Sequence, residues 1–280
     1  MTRAPSKQRI FESKVRTAQR AAEVEERNAA RELEQEHKQL LDFVKRLLAT
    51  ARIVGKDDLH RVPHTLCGVA AMTLFAKIFG TCRAILTLCR SGSSLDAPTL
   101  TRSAVEAVIT LKFITQEDCR QRASRWVKYS HIVKWKQLKV NSDLERDERT
   151  TERMRQRAET LVKEYPRKQF WASGFGVPNL SVMAKRTDLE WYYNNVYWSG
   201  SQPTHSSAIA ADEYLEVSSD RTPFVRMGLS THLARYELPV ASDVLIRSLG
   251  IINEAFGLQI DEVVVDLRAR YAKALESMGV

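Results

Sequence analysis

Arg102 and Glu106 stand four residues apart, so on a helix they share one face. Ile109 and Phe113 continue that face, and Val105 and Val108 cover the neighbouring one. A helix apolar on nearly all sides is a buried helix, so this pair is expected to be buried. Arginine precedes glutamate, the less favourable order for a surface pair. Buried charges are costly unless paired and hydrogen-bonded, so the pair either fixes helix register or belongs to a functional site.

A second candidate is the run Ser199-Gly200-Ser201-Gln202-Pro203-Thr204-His205-Ser206-Ser207, which follows Trp191, Tyr193, Tyr197 and Trp198. It reads as a polar turn. A histidine titrates near neutrality, so His205 suits general acid or base work. Ser199, Ser201 and Ser207 could orient it or hold an anion, with Tyr197 beside them. The same hydroxyls equally suit a turn that caps helix ends.

The third candidate is a basic helix. From Arg120 to Lys139 there are seven basic residues and no acid. At 100° per residue Arg122, Arg125, Lys128, Lys136 and Lys139 fall on one side, with Tyr129 among them. Ala123, Trp126, Val133 and Leu138 fall on the other. Such a stripe can track phosphates, or be a solvated face partly neutralised by the acidic residues of 143–152.

Together the candidates compose one chemistry. With the Arg102 helix packed against 199–207, Arg102 would clamp a phosphate, His205 would move a proton and Glu106 would orient either. That is metal-independent phosphodiester cleavage. Asp57, Asp58, His60 and His64 cluster in sequence, but Pro63 breaks their spacing and they read as a loop, so no metal is expected. Phosphate-loop, dinucleotide and nucleophile-elbow motifs are missing, and no cofactor is expected.

The elements that must position these residues are helical. Among 280 residues, 44% are hydrophobic, enough for a real core, and period-3.6 patterns far outnumber strand alternation. The expected fold is all-α, a multi-helix bundle with an extended N-terminal helical arm. Residues 1–39 form the arm, rich in Ala, Glu and Arg, and 40–280 the bundle. Residues 8–54 read as one long helix or a pair, with apolar Leu40, Phe43, Val44, Leu47 and Leu48 docking the second half. Further helices are expected over 64–88, to about 115 after a cap at Ser94 or Asp96, over 119–140, and through Trp198 after a Thr187-Asp188 cap. The two last are placed at about 223–236 and 238–277. The formal net charge of +9 points to an anionic partner, nucleic acid first. The sparsely apolar arm at 8–39 suits a protein partner or a homo-oligomer.

Cys67, Cys82, Cys89 and Cys119 show no metal or disulfide spacing and read as small buried residues. Met1 to Phe11 has no apolar core of a signal peptide, and Lys77 and Arg83 interrupt the longest apolar stretch. No membrane association is expected, and the expected location is the cytoplasm.

The run FGTCRAILTLCRSGSSLDAPTLTRSAVEAVITLKFI resembles a bacterial all-helical family catalogued as domain of unknown function 5677. The family pattern is a helix, a glycine turn, and a helix with an R-S-x-x-E core, here Arg102, Ser103 and Glu106. A basic, aromatic-containing helix follows, matched by 119–139. Then come a tryptophan, aromatics, a serine and an H-x-S element, matched by Trp171, Tyr193, Tyr197, Ser199, His205 and Ser207. The resemblance spans roughly residues 40–260.

It implies a helical protein similar in style to the HEPN ribonucleases and met among bacterial defence and toxin-like genes. HEPN catalysis uses an arginine and a histidine about five residues apart on one helix. Arg31–His37, Arg125–His131 and Arg226–His232 fit that spacing, but none has the polar residue usual after the arginine. Two functions stay open. One is an RNA-directed defence or toxin-like effector centred on Arg102, Glu106 and His205. The other is a non-enzymatic helical scaffold that uses its arm.

Overall fold

The computed structural model describes residues 7–140, 148–164, 170–205, 207–217, 221–225 and 228–279. It is an all-α multi-helix bundle. The helices are α1 (Lys7–Glu36), α2 (Lys38–Asp57), α3 (Leu66–Arg90), α4 (Ala97–Gln116), α5 (Cys119–Val140), α6 (Glu148–Glu164), α7 (Leu180–Arg186), α8 (Glu190–Tyr192), α9 (Trp198–Thr204), α10 (Ala208–Ala211), α11 (Ala234–Phe256) and α12 (Asp261–Glu276). A three-residue hairpin, β1 (Leu215–Val217) against β2 (Pro223–Val225), is the sheet among the described residues.

Helix α4 is the centre of the bundle. It packs against α3 and α11, and it also meets α9 and the turn before α9. Val105, Val108, Ile109, Leu111, Phe113 and Ile114 are fully buried there. Pro98 sits in its first turn, where a missing N–H costs nothing. Helix α3 begins on Thr65, whose hydroxyl accepts the Gly68 N–H. It alone among the described helices is long and apolar enough to cross a membrane, and here it packs on α4, α5 and α11.

Several boundaries differ from the sequence reading. Residues 8–54 form a helix pair divided at His37. The arm is exposed from Phe11 to Asn28, and then Ala29 and Leu33 dock on the body. At 1.5 Å per residue, α1 is about 45 Å long. Ser94 does not cap α4. Its hydroxyl donates to the Ser230 carbonyl and accepts the Leu233 N–H, which fixes the entry to α11 instead.

Of the expected helix at 223–236, residues 223–225 form β2, residues 228–233 are non-helical and residues 234–236 open α11. The expected single helix over 238–277 is broken at Gly257, which ends α11 at φ 61°. Asn253 then bonds the Ile260 N–H and the Asp261 carboxylate, and so holds α12 against α11.

The cysteines divide. Cys82 and Cys89 are buried thiols, as read. Cys67 and Cys119 form a disulfide that ties the start of α3 to the start of α5, with Cα atoms 5.6 Å apart. Sequence spacing could not show this, because 52 residues separate the partners. A thiol titration of the unfolded, non-reduced protein should find two thiols, and four after reduction. Four thiols without reductant would contradict the bond.

Candidate functional site

The residues from 190 to 204 are one continuous helical rod, not an aromatic helix followed by a turn. Its middle, Tyr193–Tyr197, is π-helical, a widened turn that recurs at functional sites. There the Tyr193 and Tyr197 rings stack, with centres 5.1 Å apart and planes 15° from parallel.

Tyr197 then meets Arg102 of α4. The guanidinium lies over the ring, 4.3 Å from its centre, and Nη2 donates to the Tyr197 hydroxyl at 2.6 Å. Arg102 Nε donates to Ser201 Oγ at 2.9 Å, and Ser201 donates on to the Tyr197 carbonyl. Burial pushes the Tyr197 hydroxyl above its usual range; the Glu106 charge adds to this and Arg102 opposes it.

Arg102 and Glu106 are not the buried ion pair the sequence suggested. Both are half-buried, and Arg102 turns away from Glu106 toward α9. Among the described residues, Glu106 makes no ion pair. Gly200 permits the approach of the two helices. A Cβ there would stand 2.5 Å from the Pro98 carbonyl oxygen and 2.9 Å from Arg102 Cβ. Gly200→Ala should therefore cost about 1–3 kcal/mol by overpacking. A denaturant melt with an unchanged midpoint would show that the helices separate freely.

His205 closes α9 and is exposed. Ser201 faces Arg102, and the Thr204 hydroxyl lies 3.4 Å from that of Thr99, so α9 runs back along α4 toward its start. Glu106 is one turn beyond Arg102 in the opposite direction. At 1.5 Å per residue, Glu106 and His205 are about 12 Å apart along the helices, on opposite sides of Arg102. The geometry thus joins Arg102, Tyr197, Tyr193 and Ser201, with Glu106 beside them, and sets His205 apart.

Ser199 bonds back to Asn195 and Val196 of its own helix. Ser207 Oγ is buried without a hydrogen-bond partner. Of the spaced Arg–His pairs, Arg226 lies outside the described residues. Among the described residues no three His, Cys, Asp or Glu side chains gather as a metal site would require.

The basic helix is real but its faces are redistributed. Arg122 leaves the stripe: it is 4% exposed, with Nη1 donating to the Phe113 carbonyl and Nη2 to Glu117 at 2.7 Å. Its guanidinium lies 4.0 Å from the centre of the Phe113 ring, so it caps the end of α4. Val133 is exposed, whereas Ile132 is buried against Leu161 of α6, because α6 rather than the body covers this stretch. Lys136 is exposed, and the side chains of Leu138 and Lys139 lie outside the described residues.

At the head of α5 the remaining basic residues line a cleft of about 640 Å³. Arg120, Arg125 and Lys128 face it with Gln121 and Ser124, and among the described residues Asp118 is the one acid in its lining. Arg125 Nε donates to the Trp171 carbonyl, and its guanidinium passes directly over Gly174, where any side chain would block it. Gln121 and Ser124 escape the sequence reading, and Arg120 is counted there but not placed on the stripe. Their common exposure depends on Arg122 turning inward, which helical spacing does not reveal.

Fold and site together define a class: an all-helical protein with an arginine–tyrosine clamp between α4 and the 190–204 rod, and a basic cleft past the other end of α4, at the head of α5. The sequence profile of a family described as a family of unknown function (DUF5677) matches residues 68–222, more than half of the chain, and the chain belongs to that family. The match covers α3 to the start of the hairpin, and so contains both the clamp and the cleft. No curated protein and no solved structure matches the chain.

Proposed function

We propose that the protein binds the phosphate backbone of RNA in the cleft at the head of α5, as an RNA-directed defence or toxin-like effector. The observation that carries this reading is the convergence of Arg120, Arg125 and Lys128 on one concave surface. Backbone contacts of this kind supply sequence-independent affinity and make it fall with salt.

The test is anisotropy of labelled tRNA at several salt concentrations with chelator present. Arg120→Ala and Lys128→Ala should each lower the salt slope by about one, and Arg120→Ala should leave the melting temperature unchanged. Arg122→Met should do the reverse, because its guanidinium serves the end of α4. Failure to bind at about 50 mM salt, or salt slopes untouched by both cleft variants, would end the RNA reading.

Metal-independent cleavage is the second reading. It is favoured by the π-helical turn that presents Tyr193 and Tyr197 to Arg102, and by the Glu106 carboxylate one turn away. His205 would have to act through the bound RNA rather than through Glu106. Cleavage in chelator that disappears in both Arg102→Ala and His205→Ala would establish it, while cleavage unchanged in either would remove that residue. The scaffold alternative rests on α1, whose Phe11 and Val15 are exposed one turn apart. It requires that the chain self-associate or capture a partner through 8–39.

A further inference from the structure

A second cavity lies across α9 from the clamp, between the start of α4, α9 and the start of α11. We infer that it is a binding site for a small organic cation with an apolar body, an alkylammonium or arylammonium. Its volume is about 280 Å³, and Leu95, Pro98, Trp198, Tyr214, Tyr236 and Glu237 are among its walls. Small-ligand sites are of this kind: mostly apolar and aromatic, with a few placed polar groups.

Three observations fix the ligand's chemistry. First, Glu237 Oε2 is buried and has no hydrogen-bond partner. A buried acceptor without a donor is costly, and a bound N–H would satisfy it. Second, the charge of the lining has one sign. Glu213 joins Glu237, and no lysine, arginine or histidine lines the cavity among the described residues. Third, Trp198 and Tyr236 are large aromatics left half exposed at its edge, at 57% and 52%. Aromatic faces beside a carboxylate attract an ammonium group, while the apolar walls take the attached carbon skeleton.

Among the described residues, groups from several packed elements face Glu237. On α3 the buried Cys89 thiol feels its charge, and on α4 the Thr101 hydroxyl hydrogen-bonds the carboxylate. The segment before β1 contributes Glu213 and Tyr214, and α11 itself contributes Tyr236. Beyond the lining, Arg235 and His232 both contact the Tyr236 ring. Burial keeps the Glu237 carboxyl high, at about 7, with Thr101 opposing. A cation should therefore bind best above neutrality. Below it, binding must expel a proton, and affinity should fall toward tenfold per pH unit.

The experiment is calorimetric titration of the full chain with phenethylamine and with butylamine, at about pH 8 and about pH 6, with 2-phenylethanol as the neutral counterpart of the first. Both amines should saturate at about pH 8, bind several-fold more weakly at about pH 6, and there release a proton. The alcohol should bind at least tenfold more weakly than phenethylamine. Glu237→Gln keeps the shape and should cost the amines about tenfold or more while abolishing the pH dependence. Trp198→Ala, at an exposed rim position, should weaken amine binding in a protein with unchanged circular dichroism. The inference is overturned if neither amine saturates by about 10 mM, or if Glu237→Gln binds them as wild type does. Because RNA binding is assigned to the α5 cleft, Glu237→Gln should leave tRNA anisotropy unchanged, so the two proposals fail separately.

Discussion

Phe113→Ala should destabilise the protein by about 3–5 kcal/mol, the cost of emptying a large buried aromatic site. Phe113 is fully buried near the end of α4. Trp171 meets it edge-on at 5.7 Å and Phe175 at 6.2 Å. The Arg122 guanidinium covers its ring, and its carbonyl accepts Arg122 Nη1 at 2.5 Å. One side chain thus joins α4, α5 and the 170–176 segment.

The loss should reach the cleft as well. Trp171 and Phe175 hold the wall on which Arg125 lies, through the Trp171 carbonyl and the Phe175 ring. Phe113→Ala should therefore weaken tRNA binding although Phe113 does not line the cleft. Phe113→Leu, which retains most of the volume, should cost less than the alanine variant on both counts. A denaturant melt showing a loss below about 1 kcal/mol would mean that the surrounding rings close the gap, contrary to close packing.

The same region shows how far sequence carries. Period 3.6 locates α3, α4 and α5, because each must bury a broad apolar stripe, and the period reports burial directly. It also placed Arg102 on the face that meets the rest of the bundle. It could not show that Arg102 turns to Tyr197 and Ser201 rather than to Glu106, since partners 95 and 99 residues away leave no local trace. Gly200 and Pro203 argued for a turn by local rule. Gly200 instead stands in a helix where only a glycine allows α9 to approach α4. Arg122 was misassigned for a related reason: a charge on a basic face is expected to be solvated, and only the carbonyl at the end of α4 gives it a reason to be buried.

Glu237 was legible and overlooked. It lies three residues after Ala234 and four before Ala241, both buried, so it stands on the inward stripe of α11. Its consequence for stability has a definite sign. Burial raises the carboxyl from 4.5 to about 7 in the folded protein, with Thr101 opposing. Below about pH 4.5 folded and unfolded chains are both protonated there, and the group contributes nothing. As pH rises from there to about 7, the unfolded chain ionises while the folded one holds its proton, so folding takes up a proton and stability falls.

Above about pH 7 the loss is complete, at about 3 kcal/mol for a shift of this size. Glutamine has no proton to lose, so Glu237→Gln should gain little near pH 5 and most near pH 8. Urea melts of both proteins at these two values measure the difference. An equal shift at both pH values would show that Glu237 titrates as an exposed carboxylate. A gain confined to high pH would show that the native fold carries an ionised acid, one oxygen of which has no donor, at a stability cost, as a site awaiting a cation would.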